Sequence, residues 1–168
     1  KIKRIDIKKI NQLNKDLKKK VLTDIKNIFK KKKFKGLSFS HSPILMGVLN
    51  LTPNSFSDGG KYIKKSKGEQ QAKKLIKDGC SILDIGGEAT NPGSSDVSED
   101  KEWKRIYPTL SRIKSLKKFI SLDTRKSSIM KKGIKNKISL INDVSGLEYD
   151  PYTVQILKET NTPFVIHH

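Results

Sequence analysis

The chain has 168 residues, enough for one domain with a fair core, and a single cysteine, Cys80, which excludes an intrachain disulfide and fits a reducing, cytoplasmic compartment. Its formal net charge is +19, from 36 Lys and Arg against 17 Asp and Glu. No apolar run approaches the roughly 18 residues of a membrane-spanning helix, and the opening residues show no secretory apolar stretch.

The charge is uneven. Residues 1–35 hold 15 basic and 3 acidic side chains, or +12, which leaves +7 for residues 36–168. Lys outnumbers Arg, and Asn and Ile are frequent, the pattern that an A+T-rich genome leaves. A basic arm for nucleic acid or an anionic membrane is the competing reading. Ile10, Leu13, Leu17, Val21, Ile25 and Ile28 recur every three or four residues, which predicts one amphipathic helix with a Lys-rich outer face. We expect that helix to pack on its own chain or on a neighbouring domain, with no membrane and no nucleic-acid partner. The Lys run at 30–33 ends it, and residues 34–43 read as a lead-in with an N-terminal hairpin. The first residue is Lys, so a processed chain or a piece of a longer one is expected.

Five apolar stretches of strand length follow, each running into polar residues. The first, 44–49, turns polar at Asn50 and enters a loop broken by Pro53 and Gly59-Gly60. The second, 81–85, runs into Gly86-Gly87-Glu88-Ala89-Thr90-Asn91-Pro92-Gly93. The third, 119–122, ends in Asp123-Thr124-Arg125, and the fourth, 138–141, in Asn142-Asp143-Val144-Ser145-Gly146. The fifth, 163–166, ends in His167-His168.

Helical patterns separate the strands. Ser66-Lys67-Gly68-Glu69 has capping-box spacing, Ala72, Leu75 and Ile76 give an apolar face, and Gly79 is a stop signal. Trp103, Ile106, Leu110 and Ile113 form a second face, in which Pro108 is expected to kink or split the helix. A short helix is expected around 127–132. A last one should start with Asp150 as N-cap and Pro151 in its first turn, with Val154 and Leu157 facing inward. Cys80 precedes a buried strand and reads as a small core residue.

Strand alternating with helix predicts an α/β fold with a parallel sheet: a (β/α)8 barrel, or an open doubly wound sheet. No G-x-G-x-x-G turn follows the first strand, which counts against a dinucleotide site. In both folds ligands sit at the C-terminal ends of the strands. There Asp123 offers a carboxylate that accepts two hydrogen bonds, and Asn142 an amide that both donates and accepts. Together they suit the edge of a flat, nitrogen-rich heterocycle. A helix cap for Asp123 and a turn for Asn142 are the plainer alternatives. Asn50 offers a hard carbonyl oxygen suited to Mg²⁺, or else shapes a turn. Asp84 and Glu88 read as buried, hydrogen-bonded scaffold. His167 and His168 are adjacent on a strand, point to opposite faces and chelate one ion poorly.

Four segments in this order carry a resemblance: Gly47-Val48-Leu49-Asn50-Leu51-Thr52-Pro53-Asn54-Ser55-Phe56-Ser57-Asp58-Gly59-Gly60, Asp84-Ile85-Gly86-Gly87-Glu88, Leu122-Asp123-Thr124 and Ile141-Asn142-Asp143-Val144-Ser145. From residue 44 to 168 the chain resembles the dihydropteroate synthases, pterin-binding TIM barrels of folate biosynthesis and a sulfonamide target. The resemblance implies an incomplete (β/α)8 barrel of about five strands over 44–168, preceded by a basic helical segment and lead-in over 1–43. It implies a transferase that joins 6-hydroxymethyl-7,8-dihydropterin diphosphate to p-aminobenzoate and releases diphosphate. Asp123 and Asn142 would grip the pterin, Thr90 the phosphate, and Phe56 and Pro92 would pack around p-aminobenzoate. Asn50, joined by Asp58, would contribute to the Mg²⁺–diphosphate site, and His167 would line the barrel mouth. A homodimer is implied at full length, as is a possible fusion to a pterin pyrophosphokinase domain.

One position departs from the pattern. Asn91 stands where the family usually has an arginine, and an amide cannot make the charge-assisted, bidentate bonds of a guanidinium to phosphate. The family's later motifs, including a second pterin-binding aspartate, a Ser-x-Lys lysine and an Arg-x-His anion site, are expected beyond residue 168. The part from 1 to 168 is expected to be inactive alone. The alternatives are a related pterin-binding barrel that transfers methyl groups, or a truncated chain acting through a partner or nucleic acid.

Overall fold

A computed structural model describes residues 7–29, 33–34, 37–38, 43–52, 67–90 and 93–167. The chain divides into two compact units, Lys1–Pro43 and Ile44–His168.

In the first unit a short 3-10 turn, Ile7–Gln12, precedes the α-helix α1, Lys15–Phe29. The apolar spacing from Ile10 onward predicts one continuous helix, but the chain breaks at Leu13 and Asn14. The cause is local. The Asn14 side-chain oxygen accepts the backbone N–H of Leu17 at 2.9 Å, so Asn14 caps α1 instead of continuing into it. The expected hairpin forms from β1, Lys33–Phe34, and β2, Leu37–Ser38, paired antiparallel.

Among its described residues the second unit alternates strand and helix: β3 (Met46–Asn50), α2 (Lys67–Lys77), β4 (Ile82–Gly86), α3 (Glu99–Ile113, extended by a 3-10 turn, Lys114–Leu116), β5 (Phe119–Asp123), α4 (Ser127–Lys135), β6 (Leu140–Asp143), α5 (Thr153–Thr160) and β7 (Phe164–Ile166). All five strands are parallel, in the order β3-β4-β5-β6-β7. A doubly wound sheet reverses its strand order at a switch point, whereas a barrel adds strands in sequence. This order is an arc of a (β/α)8 barrel.

Alternation along the strands decides what each face does. Leu49, Leu83, Ile85, Ile120, Leu122 and Ile141 point to one face and pack with Ala72, Ile106, Leu110, Ile113, Ile129 and Met130 from the helices, all buried. The other face carries Val48, Asn50, Asp84, Ser121, Asp123 and Asn142. Val48 on β3 is 57 % exposed, and all of β7 is exposed.

Helix ends follow readable rules with two exceptions. Gly79 has φ 105°, and the N–H groups of Gly79 and Cys80 donate to Ile76 and Leu75 at 3.1 and 3.0 Å, a Schellman stop to α2. Cys80 is buried beside that stop, as expected. Pro108 does not split α3, which runs through it. Asp150 is not the N-cap of α5. Its Oδ2 accepts the N–H of Ser127 at 2.8 Å, capping α4, and its Oδ1 accepts the N–H of Tyr152 at 2.9 Å in a turn ahead of α5. The later start puts Thr153 and Leu157 on the buried face and leaves Val154 exposed.

The C-terminus of α4 repeats the Schellman geometry without a glycine. Lys137 has φ 62°, and its N–H and that of Ile138 donate to Ile134 and Gly133 at 2.9 and 3.3 Å. A side chain in this left-handed region costs about 1 kcal/mol, part of which is offset by the looser unfolded chain that glycine brings. We therefore expect Lys137→Gly to raise the unfolding free energy by about 0.5 kcal/mol, measured by urea denaturation.

Candidate functional site

The parallel register sets Asn50, Gly86, Asp123 and Asn142 side by side at the C-terminal ends of four consecutive strands. Neighbours in register point to the same face, so three polar side chains converge over one glycine. A Cβ at Gly86 would stand 3.2 Å from Asp123 Oδ2, and glycine leaves that space to the carboxylate. Two residues deeper on the same face, Asp84 lies in register with Val48 and Ser121.

Asp84 and Asn142 are joined. Asn142 Nδ2 donates to Asp84 Oδ2 at 2.9 Å, and Asn142 Oδ1 lies 3.0 Å from His167 Nε2. His167 thus orients the Asn142 amide, and the described residues contain no group of three metal-binding side chains. Asp84 Oδ1 and Asp123 Oδ1 are buried without a hydrogen-bond partner among the described residues. Burial first, then the charges of Asp84, Glu102, Asp143 and Glu88, push Asp123 up to about 7 from 3.8. A carboxylate so placed calls for donors from a ligand.

These groups open into a cavity of about 770 Å³, whose lining includes Asn50, Thr52, Asp84, Thr90, Asp123 and Asn142. Lys101 and Arg105 of α3 reach the same cavity. Of the sequence-predicted site residues, Asn50, Thr90, Asp123 and Asn142 come together here. Phe56, Asp58 and Pro92 lie outside the described residues, as do Asn91 and His168.

Beside the cavity lies an ion cluster: Glu88 is the buried, hydrogen-bonded scaffold residue the sequence predicts, whereas Lys126, Glu102 and Arg125 around it were missed. Lys126 Nζ donates to Glu88 Oε2 at 2.8 Å and to Glu102 Oε2 at 2.7 Å, all three side chains being buried. Thr124 Oγ1 donates to Glu102 Oε1 at 2.7 Å. Arg125 reaches Glu88 at 3.3 Å and Asp96 at 2.6 Å, and its guanidinium stacks on the Tyr149 ring at 4.0 Å. Burial alone would raise Glu88, but Lys126, the Val97 N–H and Arg125 outweigh it and hold the carboxyl below its ordinary range. Burial would likewise lower Lys126, yet Glu102 and Glu88 hold it above. The signal was present: Glu102 precedes Ile106 by four residues on the apolar face of α3.

The model of the family described as "Pterin binding enzyme" matches residues 46–168. Over 133 residues the chain is 46 % identical to the dihydropteroate synthase of Bacillus subtilis, covering 79 % of this chain and 47 % of that protein. It is 37 % identical over 124 residues to a probable bifunctional folylpolyglutamate synthase/dihydropteroate synthase of Haloferax volcanii, covering 74 % of this chain and 15 % of the relative. A crystal structure of dihydropteroate synthase from Clostridium difficile in the presence of pteroic acid superposes with a TM-score of 0.72 at 35 % identity, covering 76 % of this chain and 49 % of that one. The chain thus spans about half the length of the Bacillus and Clostridium proteins.

The raised Asp123 carries a consequence for stability. A carboxyl whose folded value lies above its unfolded one stabilises the fold at low pH, and that contribution is lost as pH rises from about 4 through about 7. Asp123→Asn removes the titration. We expect the variant to melt several degrees above wild type at pH 8 and to lose that advantage toward pH 4, as followed by circular dichroism.

Proposed function

The chain belongs to the pterin binding enzyme family, and from that premise we propose that it serves as a dihydropteroate synthase-like transferase of folate biosynthesis. The reading is carried by one observation: Asp123 and Asn142 aligned at the strand ends, with buried carboxylate oxygens of Asp123 and Asp84 left for a donor-rich ring. A dihydropterin presents such an edge. Ring N–H and amino groups donate to Asp123 and Asp84, while the Asn142 amide, turned by His167, supplies both a donor and an acceptor. The motif at 52–60, by which the chain resembles the synthases, argues against the methyl-transfer alternative.

The proposed reaction is substitution at the pterin methylene carbon. The bond from carbon to the diphosphate oxygen breaks, and the neutral aromatic amine of p-aminobenzoate forms the new C–N bond and then loses a proton. An aromatic amine attacks uncharged, so the residues need not supply a strong base. Their task is to hold the ring and to meet the departing charge. Thr90 lines the cavity at the exposed end and offers a hydroxyl donor to the diphosphate. Phe56 and Pro92 are proposed to flank p-aminobenzoate.

Asn50 is a hard oxygen donor at the cavity wall, and this fits Mg²⁺, which takes few protein ligands and keeps its waters and phosphate oxygens. When bound, the ion neutralises charge on the leaving diphosphate. Asp58 is proposed to join Asn50 there.

The test uses the full-length protein. Formation of 7,8-dihydropteroate from the pterin diphosphate and p-aminobenzoate supports the reading, and its absence with both substrates and Mg²⁺ present sinks it. Calorimetry with Asn50→Ala should show Mg²⁺ no longer strengthening diphosphate binding. Gripping donors favours the ionised form of Asp123, so a pterin should release a proton on binding below pH 7. Its affinity is then expected to fall by up to about tenfold per pH unit as pH drops below about 7, and to be flat above pH 8, measured by fluorescence titration.

A further inference from the structure

Glu88, two residues past the end of β4, accepts hydrogen bonds from four N–H donors. Lys126 Nζ donates at 2.8 Å, Arg125 Nε at 3.3 Å and Nη2 at 3.4 Å, and the backbone N–H of Val97 at 2.9 Å. The Val97 bond joins residues nine apart, so one carboxylate ties together the start and the end of the loop that carries Thr90. Lys126 then links this carboxylate to Glu102 in the first turn of α3, a side chain with no exposed surface. The second Glu102 oxygen takes the Thr124 hydroxyl, next to Asp123. A single ammonium therefore connects the loop, the helix after it, and the end of the strand that carries Asp123.

Stability alone gives little reason for this arrangement. A buried ion set gains little over apolar side chains of the same volume, because each charge loses its hydration. What it does supply is position. Carboxylates accept along defined directions, and a buried ammonium between two of them fixes both.

We propose that Lys126 is a positioning residue: by sealing Glu88 against Glu102 it fixes both ends of the loop from 88 to 97, and so aims Thr90 at the phosphate-bearing end of the substrate. Recognition of the ring by Asp123 and Asn142 does not depend on it. The inference rests on the synthase reading above.

Two variants of the full-length protein test it. Lys126→Met leaves two buried carboxylates facing each other and loses stability. Lys126→Met combined with Glu102→Gln removes the uncompensated charge, leaves Arg125 to hold Glu88, and is expected to keep the wild-type circular dichroism spectrum. Calorimetry compares two ligands, 6-hydroxymethylpterin and its diphosphate. Measured above about pH 8, where Asp123 is ionised in both proteins, the double variant should bind the diphosphate about ten- to a hundredfold more weakly and the bare pterin as wild type does. A merely structural role would weaken both ligands alike, and that result overturns the proposal, as does equal binding of both by variant and wild type. Wild-type protein that binds neither ligand removes the synthase reading, and this inference with it.

Discussion

Parallel pairing in sequential order is the constraint on which the rest of this structure depends. Because each strand starts its register on the one before, the last residues of β3, β4 and β5 and the penultimate residue of β6 arrive in one row. Asn50, Asp123 and Asn142 lie 73 and 19 residues apart along the chain yet stand as neighbours across Gly86. A slip of one residue in β5 would turn Asp123 toward the helices and Leu122 toward the cavity. The apolar face, with Leu122 and Ile141 fully buried, resists that slip. The core thus fixes the site by fixing the register.

The carboxylates around the row fall into two kinds. Glu88 and Glu102 are buried with cations and donors at every oxygen, and Lys126 and Arg125 hold Glu88 ionised. Asp84 and Asp123 face the cavity, and each has an oxygen with no partner among the described residues. The first kind is compensated by its neighbours and shapes the loop. The second raises the free energy of the empty protein, which a ligand with matching donors recovers on binding. A buried cationic cluster next to unpaired acids would normally collapse into it. Here Lys126 is already engaged by both Glu88 and Glu102, and Asp123 remains open to the cavity.

Much of this was legible in the sequence because it depends on local signals. Apolar stretches ending in Asn50, Gly86, Asp123 and Asn142 marked the strands and their functional ends. Gly79 marked the end of α2 by its need for a left-handed backbone. What was not legible depends on partners distant in the chain. Asp150 looks like the cap of the helix that follows it, yet it caps α4, 23 residues earlier. Asn14 sits inside an unbroken apolar period, and only the competition of its amide for the Leu17 N–H stops the helix. Lys126 reads as one lysine among many in a basic chain. Its burial follows from Glu102, which occupies an apolar-face position on α3 and needs a cation there.

The same distribution of charge explains how an acidic pocket could take an anionic substrate. Asp84 lies two residues deeper than the Asn50–Asn142 row, whereas Thr90 and Lys101 are exposed at the cavity's other end. Asp96, also on the lining, is bonded to Arg125 at 2.6 Å and adds little net field. Under the proposed reading the acidic depth selects a ring rich in N–H donors, and the rim offers phosphate a hydroxyl and an ammonium. Asn91, which follows Thr90 in the chain, is the position where the resemblance leads one to expect a guanidinium. Under the proposed reading, orientation of the substrate comes from this gradient between depth and rim. The ring is drawn inward by Asp123 and Asp84, and the diphosphate is left where Thr90, Lys101 and a cation held at Asn50 can reach it.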